Sequence, residues 1–191
     1  MTTFEDRLNQ ALPRLASADV LDNKGAGGEI GFWIFDYPPE REMEMRAWLD
    51  DVIEPGLSKR QPGIRFATVD LFECVVSLLE ERGLLEKAFE MQKTKGDDAL
   101  LSSLRSILKE DRLAARIVDK AGVADLDLLI IKGVGSVYPM LRTHTLLSAL
   151  HPHMGSTPLV MFYPGKYDGM SLRLFNKLSD DNYYRAFRLV S

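Results

Sequence analysis

Two carboxylates, Asp36 and Asp70, sit at the ends of apolar runs, the first of them Gly31-Phe-Trp-Ile-Phe-Asp-Tyr37 and the second spanning 64–70. Open α/β sheets bind their ligands outside the carboxyl ends of the strands. An Asp at each of two strand ends would suit Mg²⁺, which takes one or two carboxylates plus waters, and hence phosphoryl transfer or DNA cleavage. The same placement suits a structural task, because a strand-end Asp accepts backbone N–H bonds and caps the helix that follows.

Gly133-Val-Gly-Ser136 is the second candidate. Small residues between a strand and a helix let backbone N–H groups face an anion, which makes Gly133, Gly135 and Ser136 weak anion-binding candidates. A sharp turn needs the same residues. The chain has no G-x-x-x-x-G-K-[ST], and Tyr138 stands where G-x-G-x-x-G requires its third glycine. Lys132 precedes the glycines and is not placed as a Walker lysine. His144, His151 and His153 have no Cys or carboxylate at metal-ligand spacing, so no metal site is expected. Cys74 lies among apolar residues at helical spacing and reads as a small buried hydrophobe. No catalytic residue is assigned, and the chain is not expected to be an enzyme.

The C-terminal quarter is rich in interface chemistry. Lys166, Tyr167 and Asp168 fall in a turn-rich segment, and Tyr183, Tyr184 and Arg185 follow. Tyr and Arg are favoured anchors of protein interfaces, and these six are the partner-binding candidates. Tyrosines of this kind also pack sheet edges with their hydroxyls satisfied. Residues 158–191 hold five Lys or Arg against three Asp, too small an excess for a nucleic-acid footprint.

Periodicity supplies the elements that must hold these residues. Helical spacing of Phe4, Leu8, Ala11, Leu12 and Leu15 predicts a first helix, followed by a glycine-containing loop over 17–29. Strands are expected over 31–37, 64–70, 127–131, 158–163 and 184–190. Helices are expected over about 40–53, ended by Pro55-Gly56, then in four pieces between 71 and 118, over 139–150 and over 171–178. Strands alternating with helices give an α/β fold, a mostly parallel sheet of about five strands flanked by helices. The expectation is one domain over 1–191, with 71–126 as a helical insertion between strands two and three.

The chain has 191 residues, 46% hydrophobic and 27% charged, with a net charge of −4. That composition excludes a disordered or fibrous chain, and the acidic balance argues against general nucleic-acid coating. A lone cysteine fits a reducing compartment. No secretory leader or long apolar run is read from the sequence, so a cytoplasmic protein without membrane contact is expected.

Several long stretches carry a resemblance. Residues 131–147, 158–169, 171–175 and 182–189, together with Phe-Asp-Tyr-Pro-Pro-Glu-Arg-Glu at 35–42 and Leu-Leu-Glu-Glu-Arg-Gly-Leu-Leu-Glu-Lys at 78–87, resemble the BrxB family of bacteriophage exclusion (BREX) defence systems. The resemblance implies a small subunit without catalytic residues or a cofactor. It also implies a place beside a PglZ-type phosphatase-like protein, a BrxC-type ATPase and a PglX-type DNA methyltransferase, with DNA contacted only indirectly or within the complex. The reading is a non-catalytic adaptor whose first partner is the PglZ-type protein. The alternatives are a degenerate P-loop-like nucleotide-binding domain and a metal-dependent nuclease using Asp36 and Asp70.

Overall fold

The structure, a computed structural model, describes residues 3–22, 31–179 and 186–191. Helix α1 (Phe4–Leu15) starts at a capping box: the Asp6 N–H donates to the Thr3 hydroxyl at 3.1 Å, and the Thr3 N–H donates to the Asp6 carboxylate at 2.9 Å. Its buried stripe is Leu8, Ala11 and Leu15. A short helix α2 (Ala18–Leu21) follows, then strand β1 (Phe32–Tyr37).

Strands β2 (Phe66–Asp70), β3 (Leu128–Lys132), β4 (Leu159–Tyr167) and β7 (Phe187–Arg188) join β1 in one parallel sheet of order β2-β3-β4-β1-β7. The expected α/β architecture is therefore the one observed. Strand β1 is buried along its whole length, as a central strand covered on both faces must be. Alternation divides its side chains: Phe32 and Ile34 enter one core, Trp33, Phe35 and Tyr37 the other. On β3 and β4 the same split separates Leu129, Ile131, Leu159 and Met161 from Leu128, Ile130, Val160 and Phe162.

Crossover direction decides which helices cover which face. From β1 the chain returns across the sheet to β2 through helices α3 (Glu42–Trp48) and α4 (Glu54–Arg60), which pack with α1 on the Trp33 face. From β2 it steps back towards β4 through α5 (Leu71–Glu81), α6 (Leu85–Lys95), α7 (Asp97–Ile107), α8 (Glu110–Ala121) and α9 (Thr143–Leu150), whose buried or partly buried residues meet the Phe32 face. Right-handed crossovers running in opposite directions require this two-sided arrangement. The helices between β2 and β3 contribute Leu104, Leu113, Ala114 and Ile117 to that core.

Three expected boundaries are corrected. Pro55 does not end its helix: a π turn at Leu49–Ile53 widens the spiral, the Glu54 N–H reaches the Leu49 carbonyl, and Pro55 enters the first turn of α4, where no N–H is needed. The helix expected from Pro139 begins instead at Thr143, with 135–137 a single 3₁₀ turn and a cis Tyr138–Pro139 bond between. The helix expected over 171–178 is a hairpin of β5 (Leu172–Leu174) and β6 (Leu178–Ser179), antiparallel to an extension of β4 that outruns the expected end at 163. Leu172 and Leu174 are buried and Arg173 is exposed, which is period two and not a helical stripe. Phe175 and Asn176 adopt φ of 53° and 61°, the left-handed pair of a type I′ turn, closed by the Lys177 N–H on the Leu174 carbonyl at 3.0 Å. Gly165 makes the β4–β5 pairing possible, because a Cβ there would lie 2.2 Å from the Arg173 carbonyl oxygen.

Candidate functional site

The carboxyl ends of β1, β2, β3 and β4 lie along one edge of the sheet, where an α/β enzyme holds its ligand. Here that edge is occupied by the chain itself. Asp36 is buried, and Arg7 from α1 donates to its Oδ1 at 2.5 Å while the Tyr167 N–H donates to its Oδ2 at 2.9 Å. The Arg7 guanidinium also lies 4.9 Å above the Phe35 ring. Both oxygens of Asp36 are thus engaged.

Beside this pair, Tyr37 donates its hydroxyl to Glu42, and Arg46 bridges Glu42 at 2.8 Å and the Ser136 hydroxyl at 2.5 Å. Burial, with the Glu42 charge second, pushes the Tyr37 hydroxyl well above its ordinary pKa, so it stays protonated and donates. Lys132 at the end of β3 pairs with Asp50 in the π turn. Asp70 caps α5, its Oδ1 accepting from the Phe72 N–H at 2.9 Å and the Glu73 N–H at 3.3 Å.

Asp36 and Asp70 therefore do not form a metal pair. Strands β3 and β4 stand between them, and three inter-strand steps of about 4.8 Å put them ~14 Å apart. Two metals that share a reaction lie only about 4 Å apart. Among the described residues no group of three His, Cys, Asp or Glu is gathered to hold a metal ion.

The glycine segment is likewise a turn. Gly133 has φ of +76°, and a Cβ on it would lie 2.6 Å from Asp70 Oδ1. The Ser136 N–H closes the turn on the Gly133 carbonyl at 3.1 Å. A Cβ at Gly135 would meet the Phe175 ring at 2.9 Å. No α-helix starts at these residues, and the carboxylate nearest Gly133 is the protein's own Asp70. The premise of a degenerate phosphate loop is thereby removed.

Of the partner-binding candidates, Tyr167 is fully buried: its hydroxyl donates to the Ala186 carbonyl at 2.7 Å, and Arg188 donates to the Tyr167 carbonyl. It belongs to the core and is corrected as a surface anchor. Asp168 is exposed but bound into its own turn, accepting from the Ser171 N–H and hydroxyl at 2.7 Å each and from the Met170 N–H at 2.9 Å. Those bonds, Ser171's first, hold its carboxyl at about 2. Lys166 is exposed. Tyr183, Tyr184 and Arg185 lie outside the described residues. Burial pushes the Cys74 thiol up, away from the reactive thiolate.

Sequence reasoning missed a groove of about 340 Å³ between α7, the loop before α9 and the β5–β6 turn. Arg105, Arg142 and Lys177 line it, with Tyr138, Thr143 and Leu178. Arg142 stands at the start of a helix that no side chain caps, and this was the one local signal available.

The fold is thus a parallel α/β sheet whose carboxyl edge, at Asp36, is occupied by the chain's own side chains. A family profile described as "BREX protein BrxB" matches residues 67–189. The chain is 40% identical to the BREX protein BrxB of Bacillus cereus (strain H3081.97), covering 100% of this chain and 99% of that protein. It is also 40% identical to the BREX protein BrxB of Escherichia coli O9:H4 (strain HS), covering 98% of this chain and 92% of that one. No solved structure matches this chain. The chain belongs to the BrxB family.

Proposed function

We propose that this protein acts in a BREX phage-defence system as a non-catalytic adaptor, docking larger subunits and turning over no substrate itself. The observation that carries this reading is the closed edge of the sheet: Asp36, Arg7 and the Tyr167 backbone fill the place where a doubly wound enzyme opens to its ligand. The ionisable groups beside it, Tyr37, Glu42, Arg46, Lys132 and Asp70, are spent on one another or on backbone N–H groups. A general base needs a free lone pair near a reacting atom, and a nucleophile needs such a base. No helix of the described residues is long and apolar enough to cross a membrane.

The PglZ-type protein is the first partner of this reading, with the BrxC-type ATPase and PglX-type methyltransferase as further ones. Affinity capture of the tagged full chain at native expression, read by mass spectrometry, tests it. Recovery of the PglZ-type protein is the expected outcome. Recovery of no BREX subunit overturns the adaptor reading, as does nucleotide hydrolysis or DNA cleavage by the purified chain that a single side-chain change abolishes.

A further inference from the structure

The groove beside α9 has a charge pattern opposite to that of the protein as a whole. The chain carries a net −4, yet Arg105, Arg142 and Lys177 converge on one concavity, and no carboxylate lines it among the described residues. All three cations are exposed. Arg105 is oriented by the loop before α9, donating from Nε and Nη2 to the Pro139 carbonyl at 3.2 and 3.1 Å. Helix α9 opens onto the same space. Its N-cap residue is Arg142, a cation that cannot accept from the first-turn N–H groups, and no side chain caps it. Positive charge at a helix N-terminus adds to the dipole there instead of offsetting it.

A second observation points the same way. Thr143 is about nine-tenths buried and lines the groove; its hydroxyl bonds none of the described residues and keeps access to solvent. An unpaired hydroxyl that can be reached from a groove is available to bond a ligand atom or water there. Donors from Arg142, Lys177, a hydroxyl and a helix start converge here, and no carboxylate is among the described lining residues. A carboxylate, or another oxyanion, supplies what is missing.

The remainder of the lining selects among anions. Tyr138 stands on the rim, 42% exposed and edge-to-face with Phe175 at 6.3 Å, and Leu178 is 37% exposed. An aromatic and an aliphatic side chain bordering cations suit a peptide in which acidic and apolar residues alternate, the carboxylates meeting the cations and the apolar residues the rim. Three cations grouped in one pocket, on an acidic protein, do not make the extended track that a nucleic-acid backbone requires.

We propose that this groove is the docking site for an acidic, apolar-flanked segment of a partner protein, its carboxylate seated between Arg142, Lys177 and the first turn of α9. This deepens the adaptor reading and rests on it for the biological partner, while the binding chemistry is testable alone.

The test is an NMR titration of the ¹⁵N-labelled full chain with a short capped peptide alternating Glu and Leu. The controls are the same peptide with Gln for Glu, oligo-dT, and inorganic phosphate. Saturable shifts at the amides of Thr143, His144 and Thr145 are expected with the acidic peptide. Affinity should fall about tenfold or more with the Gln peptide and with the Arg142→Glu/Lys177→Glu variant. Both positions are exposed, so the variant keeps its fold, and an unchanged thermal midpoint verifies this. Four results overturn the proposal: no saturable shift at millimolar peptide, equal binding of the Gln peptide, tighter binding of oligo-dT at the same amides, or phosphate binding as well as the peptide. Affinity capture with the same variant separates the two readings. If the wild type captures BREX subunits and the variant captures them equally, the groove fails and the adaptor stands. If the peptide binds but the wild type captures nothing, the groove stands and the adaptor fails.

Discussion

The edge of the sheet over β1 and β3 and the groove beside α9 use the same kinds of residue to opposite ends. At the edge, Arg7 meets Asp36 and Lys132 meets Asp50 across elements, and Arg46 meets Glu42 within α3, so each cation has an anion. In the groove, Arg105, Arg142 and Lys177 face one another across about 340 Å³ with no carboxylate among the described lining residues. A paired buried charge fixes a fold, because losing either member strands the other in a poor solvent. An unpaired group of like charges adds nothing to the fold and is poised for a partner. The contrast separates what this protein spends on itself from what it offers outside.

The largest expected effect follows from emptying one half of the closed edge. Arg7→Ala leaves the Asp36 carboxylate buried without its cation and should cost about 4 kcal/mol, read as a lower urea midpoint. Replacing both members with apolar residues, as in Arg7→Met/Asp36→Leu, should restore most of that loss. If the single variant is as stable as wild type, the edge is not a structural lock.

Next in size is Gly133→Ala, which places a Cβ against Asp70 at a φ of +76°. The expected cost is about 2 kcal/mol, measured by the same denaturation. A neutral result would free the glycine from its structural explanation and reopen the anion reading.

The groove supplies the counter-case. Arg142→Glu and Lys177→Glu should each change stability by no more than about 0.5 kcal/mol, and Arg142→Glu should act in the stabilising direction because it brings a carboxylate to the start of α9. A large loss in either variant would make the groove part of the fold and erase the contrast.

The smallest effect concerns Asp168, which the closed and open regions leave between them. Its carboxyl is held at about 2, below the ordinary 3.8, by the Ser171 and Met170 donors. A native pKa below the unfolded one means that the turn gains stability above 3.8 and loses it as the pH falls through about 2. A side-chain ¹³C titration should show that midpoint, and Ser171→Ala should raise it towards the ordinary value.

How much of this was legible beforehand differs by element. The burial of β1 on both faces follows from Gly31-Phe-Trp-Ile-Phe-Asp-Tyr37, since an unbroken apolar run suits only a central strand. The end of α5 at Gly83 and the cap at Asp70 also follow from local chemistry. Residues 171–178 misled because Leu172, Phe175 and Lys177 fit a helix as well as a hairpin, and only the extension of β4 past Gly165 offers the partner strand that settles it. Pro55 misled because a π turn is a tertiary accommodation with no signature of its own.

Local patterning was enough for the α/β class, the order of most elements and the buried faces, because backbone periodicity and side-chain burial are short-range constraints. The tertiary structure alone decided that Asp36 is locked by Arg7, that Asp70 stands across the sheet from it, and that Arg105, Arg142 and Lys177 share a groove. These residues lie far apart along the chain, and only strand order and helix packing fix the distances between their charges. Distance and burial, not residue type, determine whether a charge is neutralised within the fold or left for a partner.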